Sequence, residues 1–72
     1  MPNRDSDRAI RLNRKELGIL QSIAAGKTSQ QIAEELCLSL PTIKWYRKRI
    51  KDKFEASSTI QMVRKAIDMG IL

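Results

Sequence analysis

The segment Ser39-Leu-Pro-Thr-Ile-Lys-Trp-Tyr-Arg-Lys-Arg-Ile50 combines a dense positive charge with a regular apolar repeat. Six basic residues and one acidic residue lie between Lys44 and Lys53. Apolar or aromatic side chains recur along it at steps of three and four: Ile43, Tyr46, Ile50 and Phe54. That spacing is typical of one face of an α-helix. We therefore predict a helix that packs through one face and exposes its charge on the other.

A shorter helical segment precedes it, Gln31-Ile-Ala-Glu-Glu-Leu-Cys-Leu-Ser39, in which Ile32 and Leu36 are one turn apart. Two helices joined by a tight turn form a helix-turn-helix, whose second helix, the recognition helix, enters the major groove of DNA. The pattern predicts this motif at about residues 29–48. Cys37 is expected to be a small core or turn residue, and a left-handed backbone at the turn would strain it modestly.

Helix-start signals divide the chain into four helices. Each signal is a polar residue followed three positions later by a second one, the spacing of a capping box. The pairs are Asn13 and Glu16, Thr28 and Gln31, Ser39 and Thr42, and Ser58 and Gln61. They predict an all-α, compact four-helix helix-turn-helix domain without a sheet. The first helix should reach about Ala25, the third should close at Phe54, and the fourth should run through Met69. The expected inward stripe of the first helix is Leu17, Leu20, Ile23 and Ala24.

The composition restricts the classes of function. The chain has 72 residues, one cysteine and no histidine, which argues against a disulfide framework, the usual zinc sites and the usual catalytic general base. We therefore predict no enzyme activity, no cofactor and no metal, with the acidic residues on solvent faces. Fourteen Lys and Arg against eight Asp and Glu give a net charge of +6, which indicates a polyanionic partner, either nucleic acid or an anionic membrane surface. No apolar run has the length of a membrane span or signal-peptide core, so we expect a cytoplasmic protein.

Short motifs at fixed spacing cover most of the chain: Leu12-Asn-Arg-Lys-Glu16, Ile23-Ala-Ala-Gly26, Gln31-Ile-Ala33, Leu36-Cys-Leu-Ser39, Thr42-Ile-Lys44, Ile50-Lys-Asp-Lys-Phe54, and Ala66 to Gly70-Ile-Leu72. In this pattern the chain resembles the LuxR/GerE-type helix-turn-helix domain of bacterial transcription regulators, a four-helix effector domain related to winged-helix folds. Tyr46 departs from it, because the family usually has histidine there. The resembling domain spans residues 12–72, and residues 1–11 read as a flexible arm or linker.

The resemblance implies sequence-specific binding of double-stranded DNA by a transcription regulator, with the third helix, at about residues 40–54, in the major groove. Carried over by position, the residues that face base edges are Lys44, Trp45 and Lys48. Those that contact the DNA backbone are Ser29, Gln30, Thr42, Tyr46, Arg47 and Lys51. Helical spacing agrees, since the three base-facing positions lie opposite the apolar stripe.

Two alternatives to this assignment stay open. The third helix could carry a merely solvated basic face. The indole of Trp45 could fold sideways over Leu40 and Pro41 and support the start of the helix instead of meeting a base.

The fourth helix is expected to expose an apolar edge, because its apolar residues cover more than one narrow stripe. A single module buries about 600–1,000 Å² on DNA, too little for tight specific binding, so we expect a homodimer that reads two half-sites. The predicted two-fold contact consists of Ile60, Met62 and Met69. RNA polymerase is a further candidate partner, and the expected location is the nucleoid.

A second function class is a small helix-turn-helix interaction protein that heterodimerises with a larger regulator and modulates it. Binding to an anionic membrane surface is a third, which we do not favour because the core needs the apolar face of the basic helix. No small-molecule ligand is expected in this domain.

Overall fold

The computed structural model describes residues 10–72, which form four α-helices: α1 (Arg14–Ala24), α2 (Ser29–Leu36), α3 (Leu40–Lys53) and α4 (Thr59–Asp68). This described part of the chain contains no strand, so the predicted all-α, four-helix fold is confirmed. Three helices, α1, α3 and α4, end one residue earlier than predicted. The predicted last residues, Ala25, Phe54 and Met69, are the C-caps of these helices. Both α1 and α3 pack against each of the other three helices, and α3 makes the more extensive contacts, so it is the central helix.

The predicted arm at residues 1–11 lies almost entirely outside the described residues. Its last two residues contact the domain. Ile10 is half-buried against the core, and the carbonyl of Arg11 accepts a hydrogen bond of 2.9 Å from Lys53 Nζ.

Each helix is preceded by a polar residue whose side chain accepts a hydrogen bond from the backbone N–H three residues later, which would otherwise be unpaired. This bond is present in all four predicted pairs. The capping boxes at the starts of α1 and α2 are reciprocal, and both are confirmed. At the start of α4, Ser58 Oγ accepts from the N–H of Gln61 as predicted. The Gln61 side chain, however, accepts from the N–H of Ser57 at 2.6 Å. These local bonds explain why the helix starts could be predicted from the sequence.

The core is built from one face of each helix. Within residues 10–72, the buried apolar residues are Ile19, Leu20, Ile23, Ile32, Ala33, Ile43, Ile50, Phe54, Met62 and Ala66. The apolar stripe predicted for α3 is part of this core, and Tyr46 packs against it half-buried. The inner face of α3 therefore fixes the helix to the domain and leaves its outer face to solvent.

The predicted stripe of α1 was partly wrong. Ala24 is exposed and Leu17 only half-buried, while Ile19 is completely buried. The true inward face follows the spacing i, i+3, i+4 and i+7 from Glu16, which is itself fully buried. The repeat is hard to recognise in the sequence because its first member, Glu16, is charged.

The turn of the helix-turn-helix lies at Cys37, as predicted. Cys37 has φ 57° and ψ 41°, the left-handed conformation that is unfavourable for a residue with a Cβ. The N–H of Leu38 reaches back to the carbonyl of Ala33 at 2.9 Å, the bond that closes a Schellman motif. Cys37 is exposed, so it is a turn residue and does not belong to the core. Leu36, one turn after the buried Ile32, is 43% exposed.

Candidate nucleic-acid interface

The outer face of α3 holds the three residues predicted to face base edges. Lys44, Trp45 and Lys48 are all exposed, and 56% of Trp45 is accessible to solvent. The core residues Ile43 and Ile50 lie on the opposite side of the helix. The fold thus brings one indole and two lysines together on a free helical surface.

The indole of Trp45 is held by neighbours further along α3. Its ring stands edge-on to Tyr46, with centroids 5.0 Å apart and an interplanar angle of 81°. The guanidinium carbon of Arg49 lies 5.3 Å from the centroid of the indole, within the range of a cation–π interaction. Trp45 is therefore oriented by contacts with a half-buried ring on one side and a cation on the other.

A shallow basic depression runs along α3 beside this face. It has a volume of about 380 Å³ and is lined by Lys44, Arg47, Lys48, Lys51 and Thr59. Its four basic residues follow the spacing i, i+3, i+4 and i+7, so their charges form one stripe. Two of the predicted backbone-contacting residues, Arg47 and Lys51, thus lie beside the two predicted base-facing lysines.

Two of these basic residues have partners within the domain. Arg47 Nη2 donates to Thr59 Oγ1 at 3.0 Å, which ties α3 to the start of α4, and the guanidinium has further N–H donors. Lys48 Nζ lies 3.2 Å from Asp52 Oδ2, and both side chains are largely exposed. Water and salt screen such a pair, so Lys48 can exchange Asp52 for another anion at little cost.

The remaining predicted backbone-contacting residues lie at helix starts. Ser29 is the first residue of α2, and Gln30 follows it with its side-chain amide 3.1 Å from a Glu34 carboxylate oxygen. Thr42 lies in the first turn of α3, where its hydroxyl is 2.8 Å from that of Ser39. The N-terminal ends of both helices carry partial positive charge that favours an anion.

A buried carboxylate, Glu16, lies beneath this surface, contrary to the expectation that the acidic residues occupy solvent faces. Glu16 is fully buried. Its Oε2 accepts a hydrogen bond of 2.8 Å from Arg49 Nε, and its Oε1 accepts one of 2.8 Å from Lys53 Nζ and one of 3.0 Å from the N–H of Asn13. Position 16 in the inward repeat of α1 is the signal that could have revealed it.

The protonation of Glu16 follows from these contacts. Burial of the carboxyl raises its pKa, but the hydrogen bonds from Lys53, Asn13 and Arg49, with the charge of Lys53, outweigh burial and lower the pKa to about 2. Glu16 is therefore a carboxylate at neutral pH, and it joins α1 to the C-terminal half of α3 by two ion pairs.

The predicted two-fold contact on α4 needs correction at two residues, Met62 and Met69. Ile60 is 73% exposed and Met69 49%, but Met62 is only 1% exposed and belongs to the core. Met62 lies one turn from the buried Ala66 and shares its inward face, whereas Ile60 shares the outward face with Ile67, seven residues on. Ile67, which the prediction omitted, is 56% exposed. The apolar edge on the outward face of α4 thus consists of Ile60 and Ile67. Met69, nine residues after Ile60, lies on the other side of the helix axis, where it lines a depression with Ile10 and Phe54.

Comparison with known families gives a match to the model of bacterial regulatory proteins of the luxR family over residues 11–66. The chain belongs to the LuxR family. This result and the four-helix fold confirm the resemblance identified from the sequence motifs. Among the four helices of residues 10–72, none has the length and apolar character needed to cross a membrane.

Individual LuxR-family relatives are longer than this chain. The uncharacterized response regulatory protein YgeK of Escherichia coli is 40% identical over 60 residues, which are 83% of this chain and 41% of that protein. The transcriptional activator protein ExaE of Pseudomonas putida is 33% identical over 61 residues, 85% of this chain and 28% of that protein. The chain therefore spans less than half the length of these curated relatives.

A solved structure supports the same fold. The crystal structure of the Vibrio cholera VqmA–ligand–DNA complex matches with a TM-score of 0.81 and 31% sequence identity. The match covers 86% of this chain and 27% of that one. The helix-turn-helix arrangement of this LuxR-family domain is thus shared with a larger protein crystallised with DNA.

Proposed function

We propose that this LuxR-family domain binds specific sequences of double-stranded DNA for a transcription regulator, with α3 in the major groove. The observation that carries the proposal is the division of α3 into a buried apolar face and an exposed face with Lys44, Trp45 and Lys48 at its centre. Two features add support. The family is one of regulatory proteins, and the matched VqmA structure is a DNA complex.

The three central residues have different roles in this proposal. Trp45 presents an apolar surface suited to a thymine methyl group or a sugar, which discriminates bases without a hydrogen bond. Lys44 and Lys48 can donate to guanine O6 and N7 or to a phosphate. The stripe of positive charge that they share with Arg47 and Lys51 attracts the DNA and adds a strong dependence on salt.

The second group of residues fixes the position of the domain on the DNA backbone. Ser29 and Gln30 supply N–H groups and side chains at the start of α2, and Thr42 supplies its hydroxyl at the start of α3. Arg47 and Lys51 supply charge. Tyr46 packs its ring against the core and directs its hydroxyl to a phosphate.

Two copies of the domain pair on DNA through α4 in this proposal. Ile60 and Ile67 form an exposed apolar edge that lies outside the core. Met69 is also exposed but lies on the other side of the helix axis. A two-fold contact along this edge would set two copies of α3 about one turn of DNA apart. A regulator of this kind acts on the chromosome, in the nucleoid.

The test is selection from random duplexes at two salt concentrations, followed by sequencing. The native chain is compared with a Lys44→Ala, Trp45→Ala, Lys48→Ala variant and with an Arg14→Ala, Lys15→Ala control, which loses the same number of positive charges at exposed positions of α1. We expect the native chain and the control to enrich the same two-fold motif, and the triple variant to lose it. A motif that survives in the triple variant would refute base reading by this face.

The same edge of α4 also supports the second candidate, heterodimerisation with a larger regulator. In that case the native chain would enrich no motif alone, and Ile60→Asp would abolish its association with the regulator. An enriched motif from the purified chain excludes this candidate as the main function.

A further inference from the structure

We propose that Glu16 and Arg49 are positioning residues for Trp45, so that a carboxylate buried on α1 sets the base preference of the exposed face of α3. This inference rests on the proposed function, since it assumes that Trp45 contacts a base pair. It assigns a role in recognition to two residues that need not contact a base themselves.

The first half of the relay is a rigid anchor. Glu16 is fully buried, and one of its carboxylate oxygens is held by two donors, Asn13 N–H at 3.0 Å and Lys53 Nζ at 2.8 Å. The other oxygen accepts from Arg49 Nε at 2.8 Å. Arginine has a long side chain with large rotamer freedom, and 48% of this one is exposed. The bond to a fixed carboxylate therefore restricts a guanidinium that solvent would otherwise leave free.

The second half is the contact of that guanidinium with the indole. Arg49 follows Trp45 by four residues, which places the two side chains one turn apart on the same side of α3. The guanidinium carbon is 5.3 Å from the indole centroid, and the ring also stands edge-on to half-buried Tyr46. A tryptophan that is held on two sides loses less conformational entropy on binding DNA. This preorganisation favours the base contact that matches its fixed orientation.

The chain offers a matched control for this relay. Lys53 binds the same carboxylate at the same distance of 2.8 Å, through its other oxygen. Its ammonium also donates to the carbonyl of Arg11, at 2.9 Å. Lys53→Gln therefore removes one ion pair from Glu16, as Arg49→Gln does, but it leaves the cation–π contact with Trp45 in place.

The experiment combines two measurements on the intact chain and its Arg49→Gln, Lys53→Gln and Glu16→Gln variants. The first is acrylamide quenching of the fluorescence of Trp45, the only tryptophan. The second is the ratio of Kd values for the selected duplex and for duplexes with single base-pair changes. We expect Arg49→Gln and Glu16→Gln to increase quenching and to reduce discrimination at one base pair by about two- to fivefold, the scale of a cation–π contact. Lys53→Gln loosens the anchor but keeps the cation–π contact, so it should change both quantities clearly less than Arg49→Gln does.

Three outcomes would overturn the relay. Arg49→Gln could weaken binding to all duplexes equally, which would make Arg49 a phosphate contact. Lys53→Gln could have the same effect as Arg49→Gln, which would mean only general destabilisation. Arg49→Gln could also reduce discrimination equally in a Trp45→Ala background, which would show that it acts without the indole.

Failure of the relay can be separated from failure of the proposed function. If Trp45→Ala changes the preferred base pair and Arg49→Gln does not, the relay is wrong and groove reading stands. If Trp45→Ala leaves every base preference intact, Trp45 does not read bases. Both the relay and the proposed base contact of Trp45 are then wrong.

Discussion

Replacing Glu16 by glutamine tests how strongly one buried carboxylate holds α1 to α3. The substitution keeps the shape of the side chain and removes its charge. The amide oxygen can still accept from Asn13 and Lys53, but the amide NH₂ would then face the Nε–H of Arg49, donor against donor. Hydrogen bonds to charged groups contribute about 1.5–3 kcal/mol each, so losing one and weakening two should lower the free energy of unfolding by about 2–3 kcal/mol. In a domain of this size that corresponds to a fall in Tm of about 10–20 °C.

The pH dependence gives this prediction a second, independent check. The pKa of Glu16 in the folded domain is about 2, below its ordinary value of 4.5, because the bonds from Lys53, Asn13 and Arg49 outweigh the effect of burial. The unfolded chain therefore takes up the proton first. The contribution of the carboxylate is fully present above about pH 4.5 and is lost as the pH falls through about 2. The difference in Tm between the native chain and Glu16→Gln should accordingly shrink across this range.

The assay is thermal unfolding followed by far-ultraviolet circular dichroism from pH 7 to pH 2.5. Glu34→Gln is the control, because Glu34 is exposed on α2 and should give a nearly native Tm at every pH. A Glu16→Gln domain within about 0.5 kcal/mol of the native one at pH 7, the range of ordinary surface substitutions, would refute the anchoring role. A deficit that stayed constant down to pH 2.5 would refute the assigned pKa.

Three further outcomes are expected. Cys37→Gly should raise the free energy of unfolding by about 1 kcal/mol in urea titrations, because glycine tolerates φ 57°; a loss would mean that the cysteine side chain stabilises the turn. Met62→Ala should lower the free energy of unfolding by about 2–5 kcal/mol, whereas Ile60→Ala should change it by less than about 0.5 kcal/mol and weaken pairing on DNA in sedimentation; the reverse order would misplace the inward face of α4. Ser39→Ala should cost about 1 kcal/mol through loss of the bond to Thr42 N–H, as measured in the same titrations, and no change would show that the cap is redundant.

The fold was predictable from the sequence to the extent that its determinants are local. Each helix start depends on two residues three positions apart, so the pairs could be identified without knowledge of the tertiary structure. The left-handed turn at Cys37 was predictable for the same reason, since only a few residues separate α2 from α3. The inward stripe of α3 was regular enough to specify its face.

Features that depend on distant residues could not be predicted in this way. Glu16 is 33 residues from Arg49 and 37 from Lys53, and the chain offers fourteen basic residues as partners for each acid. On α4 the apolar residues surround much of the helix, so periodicity alone did not show whether Ile60 or Met62 faces inward. That choice is made by the packing of α4 against α1 and α3.

The candidate site was predictable in outline and not in its internal contacts. The exposure of Lys44, Trp45 and Lys48 follows from their position opposite the apolar stripe. The spacing of four between Trp45 and Arg49 was available in the sequence as a hint of their contact. The sequence did not reveal the ion pair with Glu16 that restrains the guanidinium of Arg49, because Glu16 lies on another helix.

The division of α3 into an inner and an outer face has a consequence for how this domain can diverge. Outer residues such as Lys44 and Lys48 lie outside the core, and exposed positions of this kind usually change the free energy of unfolding by no more than about 0.5 kcal/mol when substituted. In the proposed binding mode, a descendant can therefore acquire a new target sequence by single replacements there without losing its fold. Trp45 is the exception. Its replacement removes the cation–π contact with Arg49, which remains paired with Glu16. Tryptophan and arginine at these positions should be gained and lost together, and related regulators that keep only one of them should be rare.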